Sequence, residues 1–463
     1  MSISSSYLFD SSLKRVGIIG AGVAGSTIAM HLSQHPELQV ILMEQGPSLV
    51  NGPPFCHLHA GGNLYREIDD KQCIQLLKES IETLKLYPFS VNLRPTVIVV
   101  PMRDPHEPSD LLPRLACLQQ EYQQLVEQDP ANQLLGEPAD YYRCYDEATM
   151  RQLAQQPLPI KAENADDWMI PLAKELDFST VKWPLIQVQE YGLSLFRLAA
   201  QVDLALAQRS NCTIYLNQAV TNVTADGEGW LIHRGEKTPV KVDYLVNACG
   251  YRTGQLDDLL AINSERMVEF KAAYVTQWSQ AGHWPEVIFH GERGTPNGMA
   301  QLTPYADGLF QLHGMTESIT LFKEGLAAST PASAQPNLPP ELQSILDKGW
   351  PTEVRANRTQ QAINHMAYFL PAFQQAQDAG KPLFGAQQIP GNDVTLRAAS
   401  VAFAEHCYAR AEIVKATSAL PVAMAIEEQL QQLGLLDSGI CRQATKLTYP
   451  EVEERAAELA RQR

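Results

Sequence analysis

No run of 18 or more consecutive apolar residues occurs in this 463-residue chain, so no membrane-spanning helix is expected. The N-terminus, Met1 to Ser6, lacks the basic segment and apolar segment of a secretory signal. C-x-x-C pairs are missing too. The eight cysteines, Cys56, Cys73, Cys117, Cys144, Cys212, Cys249, Cys407 and Cys441, are scattered along the chain. That pattern reads as reduced thiols, with no zinc site or other metal and no disulfide framework. Basic residues are in deficit: 36 Lys and Arg face 52 Asp and Glu, a net charge of −16. Nucleic acid and anionic membrane are disfavoured as main partners, because both need clustered positive charge. The expectation is a cytoplasmic protein, with peripheral attachment to the inner face of a membrane left open. The chain is long enough to ask for two domains or three.

What is present begins at Val16. An apolar run, Val16 to Ile19, reads as a buried parallel strand. Gly20, Gly22 and Gly25 follow at G-x-G-x-x-G spacing, and Ser26 to Leu32 reads as a helix. Gly20 suits a tight turn, Gly22 lets a pyrophosphate approach the backbone, and Gly25 lets the helix lie close to the strand. The helix N-terminus then offers free N–H groups to phosphate. A second strand, Leu38 to Met43, ends at Glu44, about 20 residues on, where a carboxylate accepts hydrogen bonds from an adenosine ribose. Strand, turn, helix and acid agree on a dinucleotide site. An acid at this position argues against recognition of a 2′-phosphate.

Further along, Phe55 to Arg66 holds two histidines, His57 and His59, and the pair Gly61-Gly62. Residues 70 to 86 and 109 to 128 have helical periodicity, and Thr96 to Val100 reads as a buried strand. The stretch 156 to 185 carries few signals. A helix over Leu193 to Ser210 precedes a strand at Cys212 to Leu216. Val242 to Gly250 is a second apolar strand ending at glycine, where an α/β sheet places ligands. Residues 325 to 345 read as a loop. Gly385 to Gly391 reads as a second glycine-bearing turn, leading into a helix from Thr395 to about Ala419. The tail from Glu451 reads as a solvated charged helix. The dinucleotide features fall in three separated pieces. We therefore expect an α/β chain: a Rossmann-like nucleotide domain with a central parallel sheet, interleaved with a second, α+β domain on a mostly antiparallel sheet. The first takes 13–64, 186–260 and 381–463, and the second takes 65–185 and 261–380.

On these residues the chain resembles the D-amino-acid oxidase-like superfamily of FAD-dependent oxidoreductases, over roughly residues 13 to 425. The motif Gly20-Ala21-Gly22-Val23-Ala24-Gly25 with Glu44 and Gln45 is the strongest element. Asn247-Ala248-Cys249-Gly250 is similar to the family's strand-ending turn at FAD, and Ala219-Val220 to its adenine contact. Thr303 to Glu317 is similar to its substrate-domain hairpin. Gly385-Ala386-Gln387, continuing through Ile389, Pro390 and Gly391, is similar to its last FAD loop, although most amino-acid oxidases have a Gly-His-Gly-like turn there. His59-Ala60-Gly61, with Gly62 and Asn63, is similar to the flavin-facing segment of the 2-hydroxyglutarate dehydrogenase branch. The longer His-x-Gly-Gly-x-x-Tyr also resembles glycerol-3-phosphate dehydrogenases. The resemblance implies FAD as cofactor and hydride removal from a small hydroxy acid or amino acid. The electrons would pass to oxygen, a quinone or another acceptor.

Such chemistry needs a cation for a substrate carboxylate and, for an alcohol, a base. Arg355 and Arg358 are the candidate cations, at about the place where the family carries its substrate-binding arginine. His59 is the first candidate base and His313 the second. Two other readings stay open: a hydroxylase-type flavin enzyme driven by reduced nicotinamide, for which no second G-x-G-x-x-G exists, and a nucleotide-binding scaffold without catalysis.

Overall fold

The computed structural model describes residues 13–51, 57–63, 65–279, 282–397, 400–404, 406–437 and 445–462. The first twelve residues, Cys56 and Cys441 lie outside them. The other six cysteines are free thiols. Among the described residues no helix is long and apolar enough to cross a membrane.

Two sheets organise the chain. The first has six strands in the order Ser400–Ala404, Tyr408–Glu412, Tyr244–Asn247, Lys14–Ile19, Leu38–Met43 and Cys212–Tyr215. All neighbours are parallel except the hairpin Ser400–Ala404 with Tyr408–Glu412. Its inner strands are apolar on both faces, as a covered parallel sheet requires. The helices Val23–Leu32, Leu195–Ala207 and Ala419–Gln432 share one core with it. A three-stranded antiparallel layer, Asn222–Asp226, Gly229–Arg234 and Lys237–Val242, contributes Val223, Trp230 and Ile232 to a second core with Ile19, Ile41 and Met43.

The second sheet has ten strands and is antiparallel apart from Glu286–Phe289 beside Thr96–Val99. Its longest strand, Arg266–Gln277, pairs with Leu309–Gly314, Leu326–Ala328, Gln377–Asp378 and Leu383–Pro390. The helices Ala165–Glu175 and Thr352–Ala367 pack into the core of this sheet. The mixed α/β architecture is the one the sequence implies.

Several local expectations change. The segment after Thr395 forms the strand hairpin just described and not a helix. Its alanines suggest a helix, but His406 and Cys407 turn the chain at φ 60° and 56°, and Ala409 and Ala411 fit the sheet beneath neighbouring helices. Residues 383–390 are a strand and not a turn, paired along Ala273 to Arg266. Leu185–Val188 and Leu383–Pro390 thus join the second sheet, although 186 and 381 open the expected nucleotide-domain pieces. The helices Asp70–Leu86 and Leu112–Gln128, expected with the second domain, pack into the first core through Leu76, Leu77, Ile81, Leu115 and Tyr122. The loop expected over 325–345 ends in a helix, Pro340–Lys348. The unassigned 156–185 stretch holds the helix Ala165–Glu175, started by a reciprocal cap between Asn164 and Asp167. The C-terminal helix, Tyr449–Gln462, is no merely solvated face. It buries Val452, Ala456 and Leu459 against the helix Leu195–Ala207.

Candidate active site

The first glycine turn builds a cradle at the carboxyl ends of the parallel strands. Gly20 stands at φ 95° and donates its N–H to the Met43 carbonyl at 2.8 Å. A Cβ on Gly25 would lie 1.9 Å from the Gly20 carbonyl oxygen, so only glycine allows helix and strand to meet. A Cβ on Gly22 would meet nothing within 4 Å, so that backbone faces open space. Glu44 accepts the N–H of Ala21 at 2.8 Å and of Gly46 at 2.7 Å, which fixes its carboxylate at the rim. A carboxylate has lone pairs left for further donors. Gly20, Gly22, Glu44, Gln45, Ala219, Val220, Ala248, Cys249 and Gly250 all border one cavity of about 370 Å³. Ala21, Val23, Ala24 and Gly25 shape the turn without bordering it. The open Gly22 backbone, a helix N-terminus and an acid at the rim fit the adenosine and pyrophosphate of a dinucleotide. Gly22→Val tests this. Gly22 has φ −66°, which valine adopts without strain. The variant is expected to fold like the parent, with the melting temperature of the flavin-free protein, and to purify with little or no flavin. Undiminished flavin content would remove Gly22 from the cofactor site.

A second cavity, of about 250 Å³, lies against the large sheet and brings together His57, His59, Tyr65, Lys271, Glu286, Gln301, His313 and Lys415, with Gly385, Ala386 and Gln387. His59 stands at φ 57°, a left-handed backbone uncommon for this residue, of the kind that gathers at functional sites. Its ring lies edge-on to His57 at 4.8 Å and stacks with Tyr65 at 5.7 Å. The Lys415 ammonium donates to the Tyr65 hydroxyl at 2.6 Å.

Behind this wall runs a buried charge chain. His57 Nε2 donates to Glu190 at 2.8 Å, and its Nδ1 lies 3.0 Å from Glu286. Arg94 donates to the other Glu286 oxygen at 2.7 Å, and Gln301 also donates to Glu286. Asn63 donates to Glu190 at 2.9 Å. Burial would lower the His57 pKa, but the charges of Glu286 and Glu190 override it and raise it to about 10. His57 is therefore an imidazolium at neutral pH. Burial would raise Glu286, but His57 and Arg94 pull it down to about 2. Burial holds His59 well below 6.5, aided by Lys415, His57 and Arg397. His313 falls to about 3 by burial, aided by Lys271 and Lys415. One histidine of the cavity is thus held protonated, and the other two are held neutral. His57, His59 and Glu190 also bring three donor atoms within 4.8 Å of one another, a spacing that can hold a metal. A doubly protonated His57 has no lone pair to give one.

Of the residues expected at the site, His59, His313, Gly385, Ala386 and Gln387 border this cavity. Ala60, Gly61, Gly62 and Asn63 lie behind it, where Tyr141 Oη donates to the Ala60 carbonyl. Ile389, Pro390 and Gly391 lie beyond it on the strand and its end. Arg355 and Arg358 do not reach it. Both sit on the helix Thr352–Ala367, Arg355 paired with Asp378 at 3.1 Å. Arg358 donates to the Ile319 carbonyl at 2.7 Å and lies 3.6 Å over the Phe322 ring. Besides His57, the cationic side chains bordering the cavity are Lys271 and Lys415, which the sequence does not single out. Lys415 follows the strand Tyr408–Glu412 and precedes the helix Ala419–Gln432. That is the strand-end position where α/β sheets hold ligands, hidden because this segment reads as helical. Glu190, Glu286, Arg94 and Gln301 were also unforeseen. Glu286 and Gln301 lie on strands and Arg94 and Glu190 in the short connections between strands, and no local pattern pairs them.

The fold, a mostly parallel six-stranded sheet joined to a large antiparallel one, is shared with several solved oxidases and dehydrogenases. The chain is similar to glycine oxidase from Geobacillus kaustophilus, with 11% identity, 90% of this chain and 95% of that chain covered, and a TM-score of 0.58. It is similar to L-alpha-glycerophosphate oxidase from Mycoplasma pneumoniae, solved with FAD bound, with 16% identity, coverage of 94% and 97%, and a TM-score of 0.54. L-proline dehydrogenase from P. horikoshii aligns at 13% identity, with coverage of 97% and 99% and a TM-score of 0.55. No family model and no curated protein matches the sequence. At these identities the likeness is one of fold.

Proposed function

We propose that the protein is an FAD-dependent oxidoreductase that removes a hydride from the α carbon of a small anionic substrate, a hydroxy acid or amino acid. One observation carries the reading. The glycine cradle and the His59 cavity both draw on the strand ends of one parallel sheet, and the second is lined by neutral bases and ammonium groups. Gly20, Gly22, Glu44, Ala219, Val220 and Gly250 would hold the nucleotide half of FAD, and His59 and residues 385–387 and 414–416 would face its ring. Bound there, FAD would supply a two-electron acceptor for the substrate C–H bond. His59, held neutral, takes the hydroxyl proton. Lys271 and Lys415 bind the carboxylate, as point charges where an arginine would be bidentate. An electron acceptor then completes the cycle.

The test is an anaerobic visible spectrum of the purified protein during addition of hydroxy acids and amino acids. Bleaching of a flavin band by one of them supports the reading and begins to name the substrate. A flavin bleached only by reduced nicotinamide would overturn it in favour of hydroxylase-type chemistry. A colourless protein that cannot be reconstituted with FAD would remove the cofactor itself.

A further inference from the structure

We propose that the cavity lined by His59 selects a carboxylic acid whose carbon chain carries further hydroxyl groups, and that Gln301, Thr303 and Gln311 hold those hydroxyls; the proposal rests on the flavin reading above and names its substrate class. Two paired strands, Ala300–Pro304 and Leu309–Gly314, carry these residues. Their side chains alternate. Ala300, Leu302, Phe310 and Leu312 join the core of the large sheet, whereas Gln301, Thr303, Gln311 and His313 border the cavity. Pairing sets the polar four in two rows on one face, Gln301 opposite His313 and Thr303 opposite Gln311. Gln301 is 6% exposed and Gln311 3%. Leaving buried amide groups without partners is costly, and a sheet face could carry apolar residues at these positions as its other face does.

The hydrogen bonds fix which way each amide faces. A carboxylate only accepts, so Gln301 turns its Nε2 to Glu286; that nitrogen also donates to Thr303 Oγ1 at 3.3 Å. The Gln301 Oε1 acceptor is left over. Gln311 Oε1 accepts from the Tyr305 hydroxyl at 2.8 Å, which leaves its Nε2 donor. Among the described residues neither Gln301 Oε1 nor Gln311 Nε2 has a hydrogen-bond partner, and neither is closed off from the cavity. An open acceptor and an open donor thus stand in adjacent rows, with the Thr303 hydroxyl beside both. A carboxylate would suit the donor and be repelled by the acceptor. An ammonium would do the reverse, and an alkyl chain would satisfy neither. A hydroxyl both donates and accepts. No free cation changes this balance, because the His57 charge is already matched by Glu190 and Glu286. Lys271 lies on the strand whose Val275 pairs with Gln311, four residues back, or about 13 Å along the backbone. The cavity therefore has a cationic end for a carboxylate and a neutral, hydrogen-bonding end for hydroxyls.

Calorimetric titration of the oxidised, flavin-loaded protein with 3,4-dihydroxybutanoate, butanoate and succinate tests the proposal. None of the three carries a hydroxyl or amino group on its α carbon, so binding is read without turnover. The dihydroxy acid is expected to bind about 10- to 100-fold more tightly than butanoate, the worth of two or so hydrogen bonds to neutral groups. Gln311→Leu and Thr303→Val each keep much of the side-chain volume and remove a hydrogen-bonding group. Each is expected to cut that preference about 3- to 10-fold, and the isosteric Thr303→Val keeps the test open if Gln311→Leu does not fold. Equal binding of butanoate and the dihydroxy acid, or tightest binding of succinate, overturns the proposal. If a hydroxy acid or amino acid still bleaches the flavin, the flavin reading survives that result. A preference that neither variant changes overturns the assignment of these residues. A preference that both variants reduce, in a protein that takes up no flavin, would instead remove the flavin reading and keep the hydroxyl site.

Discussion

His59→Gln is expected to slow anaerobic flavin reduction by a hydroxy-acid substrate about 10²- to 10⁴-fold, the usual contribution of a positioned general base. Flavin content should stay near that of the parent, because the nucleotide half of FAD would be held at the glycine cradle, which His59 does not border. Glutamine fills much of the same space and hydrogen-bonds, but it cannot accept a proton at neutral pH. The pH dependence follows from the same surroundings. Burial and the nearby charges of Lys415, His57 and Arg397 hold the His59 pKa well below 6.5. The base is therefore already deprotonated at neutrality. The parent rate should be level from neutral pH upward and fall only on the acid side, as His59 gains its proton. The variant should lose that acid limb. A loss smaller than about tenfold with a hydroxy acid, or an acid limb that survives the substitution, would take His59 out of this role and pass it to His313. An amine substrate needs only to be neutral, so a small loss confined to amines would mark the protein as an amine oxidoreductase.

How much of this site could be read in the sequence divides along a physical line. The glycine cradle was legible because it is local. One strand, one turn and one helix, with an acid at the end of the next strand, make a complete structural unit within about thirty residues. Ala219, Val220 and Cys249 were reached through family resemblance and border the same cavity. The cavity lined by His59 is the opposite case. Its charge chain joins Arg94, Glu190, Glu286 and His57, residues up to 229 positions apart, through pairing of strands in a ten-stranded sheet. No spacing rule connects them. Arg355 and Arg358 were plausible by residue type, but helix Thr352–Ala367 directs them to Asp378 and to the carbonyls of Ile319 and Leu321. Lys415 is hard to read because the alanine-rich run before it has high helix propensity, yet pairs with Leu245 to Asn247 as a strand.

Glu286→Ala is expected to destabilise the flavin-loaded protein by about 3–5 kcal/mol near pH 6, the cost of leaving a buried charge without its partner. Glu286 is fully buried and compensates two cations at once, the His57 imidazolium and the Arg94 guanidinium. Replacing it leaves Arg94 charged in an apolar wall, while His57 keeps only Glu190. The pH profile makes the test specific. The Glu286 pKa is depressed from 4.5 to about 2, so its contribution is present above pH 4.5 and is lost as pH falls toward 2. The His57 pKa is raised from 6.5 to about 10, so its contribution is full below pH 6.5 and is lost as pH rises toward 10. The stability gap between parent and variant should therefore be widest between pH 4.5 and 6.5 and should narrow on both sides. Chemical denaturation of both proteins at pH 4, 6, 8 and 9.5 measures it. Glu286→Gln, which keeps the shape and part of the hydrogen bonding, should show a smaller gap with the same alkaline decline. A gap of constant size across this range would mean that cavity formation, and not charge pairing with His57, sets the loss. The imidazolium would then have no part in holding this wall of the site.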